Sequence, residues 1–187
     1  MANKKTFLKQ FWRDKKMVGS MRPSSRFLAD KMLKNIDFKR AKLILELGPG
    51  TGVFTKKILE KMPLDARLIV FELNTDFYNL LKNEIQDNRM ILIHDSAEKI
   101  TEHVKNEGFL FADYVISSLP LANFPRKLTE NILKESYHIL KNQGKYIQFQ
   151  YSLLSKTKLH SQFQNTHISF TPFNFPPAFV YTCVKEK

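Results

Sequence analysis

Cysteine is nearly absent from this sequence, which contains one, Cys183, in 187 residues. A lone cysteine cannot form an intramolecular disulfide, and no group of cysteines and histidines has the spacing of a zinc site. The sequence also lacks the run of about 20 apolar residues that a transmembrane helix needs and the pattern of a signal peptide. We therefore expect a protein without disulfide or metal, in the cytoplasm or on a membrane surface.

Acidic residues are also few, with 18 Asp and Glu against 30 Lys and Arg, so the net charge is +12. The imbalance is local, because residues 1–40 hold 12 basic and 3 acidic side chains whereas residues 41–150 hold 14 of each. A basic segment ahead of a neutral body is typical of a docking arm for a polyanion. That polyanion is either a nucleic acid or an anionic membrane, and composition does not choose between them.

Short apolar runs alternate with stretches of helical spacing from residue 43 onward. Strands are predicted over 43–47, 68–73, 90–94, 114–118, 146–151, 167–171 and 178–184, and helices over 53–61, 75–86, 97–106, 126–140 and 155–164. This alternation predicts a doubly wound, mainly parallel, Rossmann-like α/β sheet of about seven strands with helices on both faces. The predicted domain spans residues 41–187, and residues 1–40 form an N-terminal extension.

Glycine is scarce, but three of the six glycines stand at alternate positions, Gly48, Gly50 and Gly52, between the first predicted strand and a helix. Glycines there allow a sharp turn and a close approach of the backbone to a ligand at a helix N-terminus. The dinucleotide fingerprint would need its third glycine at Val53, and the Gly-Lys-Ser/Thr sequence of ATP-binding loops is missing. The loop therefore indicates a nucleotide-type ligand without a pyrophosphate clamp.

Acidic residues stand at the ends of the next two predicted strands. Glu72 stands 20 residues beyond Gly52, where a carboxylate can accept hydrogen bonds from both hydroxyls of a ribose. Asp95, followed by the small residues Ser96 and Ala97, ends the third strand, where an acid can bind an adenine amino group beside a flat ring. Together these residues predict a site shaped for adenosine.

This order of motifs resembles the class I methyltransferases that use S-adenosylmethionine, and the resemblance spans nearly all of residues 43–184. It implies that the glycine loop faces the methionine part and ribose, that Glu46 supports the amino-acid end, that Glu72 binds the ribose, and that Asp95 binds adenine. The cofactor-binding residues implied by the resemblance are Glu46, Gly48, Gly50, Gly52, Glu72, Leu73, Asp95, Ser96, Ala97 and Ser117.

The loop after the fourth strand, residues 117–125, lies where the transferable methyl group would emerge. Adenine N6-methyltransferases, including those that dimethylate ribosomal RNA, have an aromatic residue here that stacks on the target base, and this sequence has Leu121. The Ser-Leu-Pro-Leu stretch followed by Asn-Phe-Pro instead resembles the bacterial phospholipid N-methyltransferases. Residues 19–29 and 176–181 resemble two further segments of that family.

The N-terminal segment has the pattern of a basic amphipathic helix. Phe7, Leu8, Phe11 and Trp12 fall on one side of a helical projection, with lysines and arginines around them. Such a helix can lie in the headgroup region of an anionic membrane. The same periodicity also fits a lid packed on the domain, and the charge also fits RNA phosphates, so three uses remain open.

The resemblance implies methyl transfer to the headgroup amine of a phospholipid, phosphatidylethanolamine and its methylated derivatives, toward phosphatidylcholine. We expect a monomer at the inner membrane face, with lipid favoured over nucleic acid as partner. An N6-methyltransferase of ribosomal RNA adenine, another amine methyltransferase and an inactive cofactor-binding protein remain as alternatives. Tyr151, Ser118 and Asn123 are the candidate catalytic residues, and the sequence does not identify the base that removes the amine proton.

Overall fold

The computed structural model describes residues 26–186, so the predicted amphipathic helix around Phe7 and Trp12 lies outside the described residues. The strands are β1 Leu43–Leu47, β2 Arg67–Phe71, β3 Met90–Ile93, β4 Ala112–Ser117, β5 Leu140–Gln150, β6 Asn165–Thr171 and β7 Ala178–Val184. The helices are α1 Arg26–Leu33, α2 Val53–Lys61, α3 Thr75–Glu84, α4 Ile100–Asn106, α5 Arg126–Ile139 and α6 Lys156–Gln162, with 3-10 turns at Ala97–Lys99 and Leu121–Asn123.

The seven strands form one sheet in the order β3-β2-β1-β4-β5-β7-β6. The strands from β3 to β5 run parallel, as the βαβ pattern predicts, and helices connect them. The sheet is nevertheless mixed, because β7 runs antiparallel to both β5 and β6. Only the six residues 172–177 separate β6 from β7, which is too short for a parallel crossover and long enough for a hairpin.

Most element bounds agree with the predictions within a few residues, and β5 differs most. It begins at Leu140, six residues before the predicted start at Tyr146, directly after α5. The intervening Lys-Asn-Gln-Gly resembles a turn in sequence, and Gln143 indeed has a positive φ of 62°. The pairing of β4 with β5 shifts register there, so the turn-like residues form an irregularity within a long strand.

The central strands β1, β2 and β4 are buried on both faces, as their continuous apolar sequences require, whereas the edge strand β6 is mostly exposed or half-buried. One face of the sheet packs against α4, α5 and α6, and the other packs against α1, α2 and α3. Leu28, Ala29 and Met32 of α1 are fully buried, so the described part of the N-terminal extension packs on the domain. The boundary after residue 40 stays a prediction.

Candidate functional site

A pocket opens at the carboxyl ends of the parallel strands, which is where sheets of this kind bind ligands. Six of the ten cofactor residues predicted from the sequence line this pocket: Gly48, Glu72, Leu73, Asp95, Ser96 and Ala97. Apolar side chains complete the wall, namely Phe71, Leu119, Phe124, Leu128 and Ile132. The pocket therefore has acids at two points of a mainly apolar cleft, a combination that suits a flat ring joined to a sugar.

The glycine loop has the backbone conformation for which glycine is needed. Gly48, Gly50 and Gly52 have φ angles of 68°, 59° and 79°, in the left-handed region. A Cβ atom on Gly48 would lie 2.7 Å from Cδ2 of Leu119 in the pocket wall. A side chain at residue 48 would thus displace the side chain of Leu119, which lines the pocket.

Glu72 fastens the glycine loop to the end of β2. Its Oε2 accepts a hydrogen bond from the backbone N–H of Gly50 at 3.2 Å, and its Oε1 accepts one from Asn74 at 2.8 Å. Burial raises the pKa of Glu72 to about 7, although these N–H groups partly oppose the shift. The carboxylate is held rigidly and keeps acceptor positions beyond the two that the backbone uses.

Glu46, on β1, is a fully buried carboxylate, and neither of its oxygens has a hydrogen-bond partner among residues 26–186. Burial raises its pKa to about 8; Thr55, near it but outside hydrogen-bonding geometry, opposes the shift, and the charge of Glu72 adds to it. An unpaired carboxylate inside a protein is costly unless a cation or a hydrogen-bond donor reaches it. Glu46 therefore marks a place where a positively charged ligand group would be stabilised.

Asp95 is already engaged by its own segment. It accepts hydrogen bonds from the backbone N–H of Ser96 at 2.7 Å and from Lys99 Nζ at 2.9 Å, and His103 Nε2 lies 3.0 Å from Oδ2. Burial favours a higher pKa, but these three contacts outweigh it and hold the pKa of Asp95 at about 2. Asp95 is therefore ionised at any physiological pH.

Sequence reasoning missed Lys99 and His103 as partners of Asp95. Their spacings of four and eight residues from Asp95 were the available signal, because that spacing places side chains on one side of helical turns. The ring of His103 also packs edge-on against Phe71, with 5.8 Å between centroids. His94, which precedes Asp95, stacks instead on Tyr78 at 4.6 Å.

The loop after β4 is fixed by two buried glutamines that sequence reasoning also missed. The carbonyl oxygen of Leu119 accepts hydrogen bonds from Gln148 Nε2 at 3.0 Å and from Gln150 Nε2 at 2.9 Å. Tyr146 donates to the other end of Gln148 at 2.7 Å and so orients its amide. Alternation along β5 was the available signal, since residues 146, 148 and 150 lie on the same face of the strand.

The remaining candidates take different positions around this loop. Ser117 is fully buried and its hydroxyl accepts a hydrogen bond from the N–H of Leu119. The hydroxyl of Ser118 is buried and has no hydrogen-bond partner among the described residues. Asn123 is exposed, and Tyr151 is half exposed with its ring 5.5 Å from that of Phe149. Leu121 is fully buried in the core, so its side chain is not available to contact a methyl-accepting substrate.

Comparisons with known proteins give two kinds of relative. The family model described as ribosomal RNA adenine dimethylase matches residues 13–158. An ornithine lipid N-methyltransferase of Singulisphaera acidiphila is 30% identical over 184 residues, which cover 96% of this chain and 96% of the relative. A ribosomal RNA small subunit methyltransferase A of Mesoplasma florum is 28% identical over 126 residues, which cover 67% of this chain but 45% of the relative.

Solved structures share the fold at low sequence identity. A precorrin-6y C5,15-methyltransferase of Geobacter metallireducens superposes with a TM-score of 0.72 at 12% identity, covering 90% of this chain and 93% of that chain. The N-methyltransferase NodS of Bradyrhizobium japonicum, in complex with S-adenosyl-L-homocysteine, superposes with a TM-score of 0.66 at 9% identity, covering 90% of each chain. These similarities establish the Rossmann-like architecture.

Proposed function

Because the chain belongs to the ribosomal RNA adenine dimethylase family and is an S-adenosylmethionine-dependent N-methyltransferase, we propose that it methylates the headgroup amine of a membrane lipid. The observation that carries the proposal is the match with the ornithine lipid enzyme along 96% of both chains. By contrast, the chain spans less than half the length of the ribosomal RNA methyltransferase from Mesoplasma florum. Phosphatidylethanolamine, its methylated derivatives and ornithine lipid share the required amine.

Glu72 in the pocket wall and the buried Glu46, two residues before Gly48 of that wall, suit S-adenosylmethionine. When bound, this cofactor supplies an electrophilic methyl group on a sulfonium. We assign the ammonium of its methionine part to the unpaired carboxylate of Glu46, and its ribose hydroxyls to the free acceptor positions of Glu72. Asp95, Ser96 and Ala97 line the part of the pocket assigned to adenine, and Gly48 leaves room beside Leu119.

The raised pKa values of Glu46 and Glu72 predict that cofactor affinity increases with pH. Burial disfavours the charged forms of these carboxyls and raises the pKa of Glu46 to about 8 and that of Glu72 to about 7. Ligand ammonium and hydroxyl groups favour the charged forms, so binding at lower pH must release protons. We expect S-adenosylhomocysteine to bind about tenfold more weakly at pH 6.5 than at pH 8, measured by calorimetry in two buffers of different ionisation enthalpy.

The matched variant for this measurement is Glu46→Gln, which keeps the shape of the side chain and removes its ionisation. Its affinity should be lower at pH 8, and its slope against pH should be smaller than that of the unmodified protein. An affinity that decreases as pH rises, or an unchanged slope in Glu46→Gln, would contradict the assignment of Glu46.

The acceptor loop, residues 117–125, contains polar side chains, and its residue 121 is a buried leucine instead of an aromatic residue that could stack on a base. The amine must be neutral to attack the methyl carbon; the carbon–nitrogen bond forms as the carbon–sulfur bond breaks, and the extra proton on nitrogen then leaves for water. We assign the buried hydroxyl of Ser118 to orient this amine by accepting a hydrogen bond from it. We also assign Asn123 and Tyr151, which are both exposed, to contact the rest of the headgroup.

Methylation of ribosomal RNA adenine is the second candidate function. The family model and the relatives that methylate ribosomal RNA favour it, and the net charge of +12 suits a phosphate backbone. The burial of Leu121 disfavours it, because base stacking contributes about 1–3 kcal/mol per base where an aromatic side chain is available.

One labelling experiment separates these functions. The protein is incubated with methyl-labelled cofactor and, in separate tubes, with detergent micelles of phosphatidylethanolamine, with micelles of ornithine lipid, or with ribosomal RNA. We expect label in the organic phase for at least one aminolipid and none above background in the RNA, with phosphatidylcholine micelles as the blank. Label in RNA alone would overturn the lipid proposal.

A further inference from the structure

Six large apolar side chains are exposed on three segments of the described chain that contact one another. We call them the apolar rim: Phe27, Tyr151, Leu153, Leu154, Phe173 and Phe175. Their exposed fractions range from 46% to 79%. Single exposed apolar residues are ordinary, whereas a contiguous group of this size marks an interaction surface.

The rim comes from three separate segments that contact one another. Phe27, in the first turn of α1, packs against Phe173 in the turn between β6 and β7, with 5.6 Å between ring centroids. Tyr151 lies beside Asn174 of that turn. Burial raises the pKa of Tyr151, and the side chain of Asn174 partly opposes this rise. The hydroxyl of Tyr181 donates to the carbonyl of Ser152 at 3.4 Å, which ties β7 to the segment after β5.

The rim lies at the same edge of the sheet as the mouth of the site. β6 runs in the same direction as β5, because β7 is antiparallel to both. The carboxyl ends of β5 and β6 therefore reach the edge where β4 ends at Ser117 and the acceptor loop begins. A flat surface that contacts the rim would also face the entrance to the acceptor loop.

The charge around the rim suits an anionic partner. No acidic residue occurs in the sequence between Glu135 and Glu186, and this stretch includes five lysines. Lys156 is exposed two residues after Leu154, and Arg26 is exposed next to Phe27. In the sequence, residues 1–25, which precede Arg26, include seven basic residues and one acidic residue.

We propose that the apolar rim inserts into the interfacial region of an anionic lipid bilayer and so holds the acceptor loop against the headgroups. The inference deepens the proposed function and depends on it for the identity of the substrate. Aromatic and leucine side chains beside basic residues are the combination that binds such an interface, the former by burial and the latter by attraction to anionic lipids. A rim at the mouth of the site would let a headgroup enter while its acyl chains stay in the bilayer.

Fluorescent labels at single residues of the full chain test directly whether the apolar rim contacts a lipid bilayer. Cys183, the sole cysteine, is buried and burial raises its pKa to about 12, so an introduced cysteine is the reactive one. Phe173→Cys and Leu154→Cys place an environment-sensitive fluorophore on the rim. Leu64→Cys and Phe111→Cys are matched controls, because these exposed apolar residues precede β2 and β4 at the opposite edge of the sheet.

Vesicles of phosphatidylglycerol and phosphatidylcholine that carry a lipid-bound quencher are added without cofactor. We expect a blue shift and at least twofold quenching at residues 173 and 154, and neither effect at residues 64 and 111. Binding of S-adenosylhomocysteine within twofold of the unmodified protein checks that each variant is folded.

If the labels on the rim show neither a blue shift nor quenching, the proposal is overturned. That result is expected if residues 1–25 or a second copy of the chain cover the rim instead of a bilayer. Equal quenching at both edges of the sheet would also overturn it. Failure of the proposed function has a different signature, because insertion would persist while no aminolipid became labelled in micelles. Transfer to micellar lipid without insertion would overturn this inference alone.

Discussion

Replacing Glu72 by alanine is expected to weaken binding of S-adenosylhomocysteine about 100-fold and to abolish methyl transfer at ordinary cofactor concentrations. The carboxylate of Glu72 holds the N–H of Gly50 and, in our assignment, both ribose hydroxyls. Hydrogen bonds to charged groups contribute about 1.5–3 kcal/mol each, so two of them amount to roughly 3 kcal/mol or more. Calorimetry at pH 8, where the carboxyl of the unmodified protein is mainly ionised, measures the loss.

Glu84→Ala is the matched control, because it removes a glutamate at the end of α3 that pairs with Lys56 on the surface. An exposed pair of this kind contributes little, and the variant should bind the ligand within twofold of the unmodified protein. Glu72→Gln should show an intermediate loss, because its amide retains one acceptor oxygen and presents an N–H₂ group to a backbone donor. Unchanged affinity in Glu72→Ala would exclude Glu72 from the ribose site.

The sheet and its ligand edge could be predicted because both depend on local patterns. Apolar runs of five residues are long enough for a buried parallel strand, and residues that follow such strands gather at one edge whatever the helices between them do. Gly48, Glu72 and Asp95 reach one pocket for that reason. The position of β7 between β5 and β6 could not be predicted in the same way, since a Pro-containing connection of six residues predicts a hairpin with β6 but does not determine which strand pairs with the other edge of β7.

The contacts that orient the site could not be predicted, because they join residues distant in sequence. The glutamines at 148 and 150 are ordinary polar residues of a strand until the fold places the carbonyl of Leu119 beside both of their amides. Glu46 likewise reads as a strand residue, and only the structure shows that its carboxylate is buried without a partner among the described residues. Such groups derive their importance from burial, and burial depends on the whole chain.

The acceptor loop shows how this limit affects function. Leu121 could be recognised from sequence as the wrong residue for stacking on a base, and its complete burial explains why no ring could be substituted there without repacking the core. The hydroxyl of Ser118, which we assign to orient the acceptor amine, belongs to no sequence motif of its own. Our proposal for the substrate class therefore rests on the relatives and on the residues of this loop together, and the labelling experiment tests it.

Gly52→Ala is expected to lower the free energy of unfolding by about 2–4 kcal/mol, a large part of the 5–15 kcal/mol typical of a folded domain. Gly52 precedes α2 with a φ of 79°, where an alanine is strained by about 1–2 kcal/mol. Its Cβ atom would also lie 2.7 Å from Cδ2 of Leu81 and 3.1 Å from Cδ1 of Ile85, both buried, and overpacking of this kind costs about 1–3 kcal/mol. Urea unfolding monitored by circular dichroism measures the change.

Gly108→Ala separates backbone strain from overpacking. Gly108 has nearly the same φ, 81°, but a Cβ atom there would have no neighbour within 4 Å. Its cost should be about 1 kcal/mol, because the strain is partly offset by the reduced entropy of the unfolded chain. The difference between the two variants then measures how closely the glycine loop packs on α3. Equal losses would mean that Leu81 and Ile85 move aside without cost, and that the loop needs glycine at residue 52 for its backbone conformation alone.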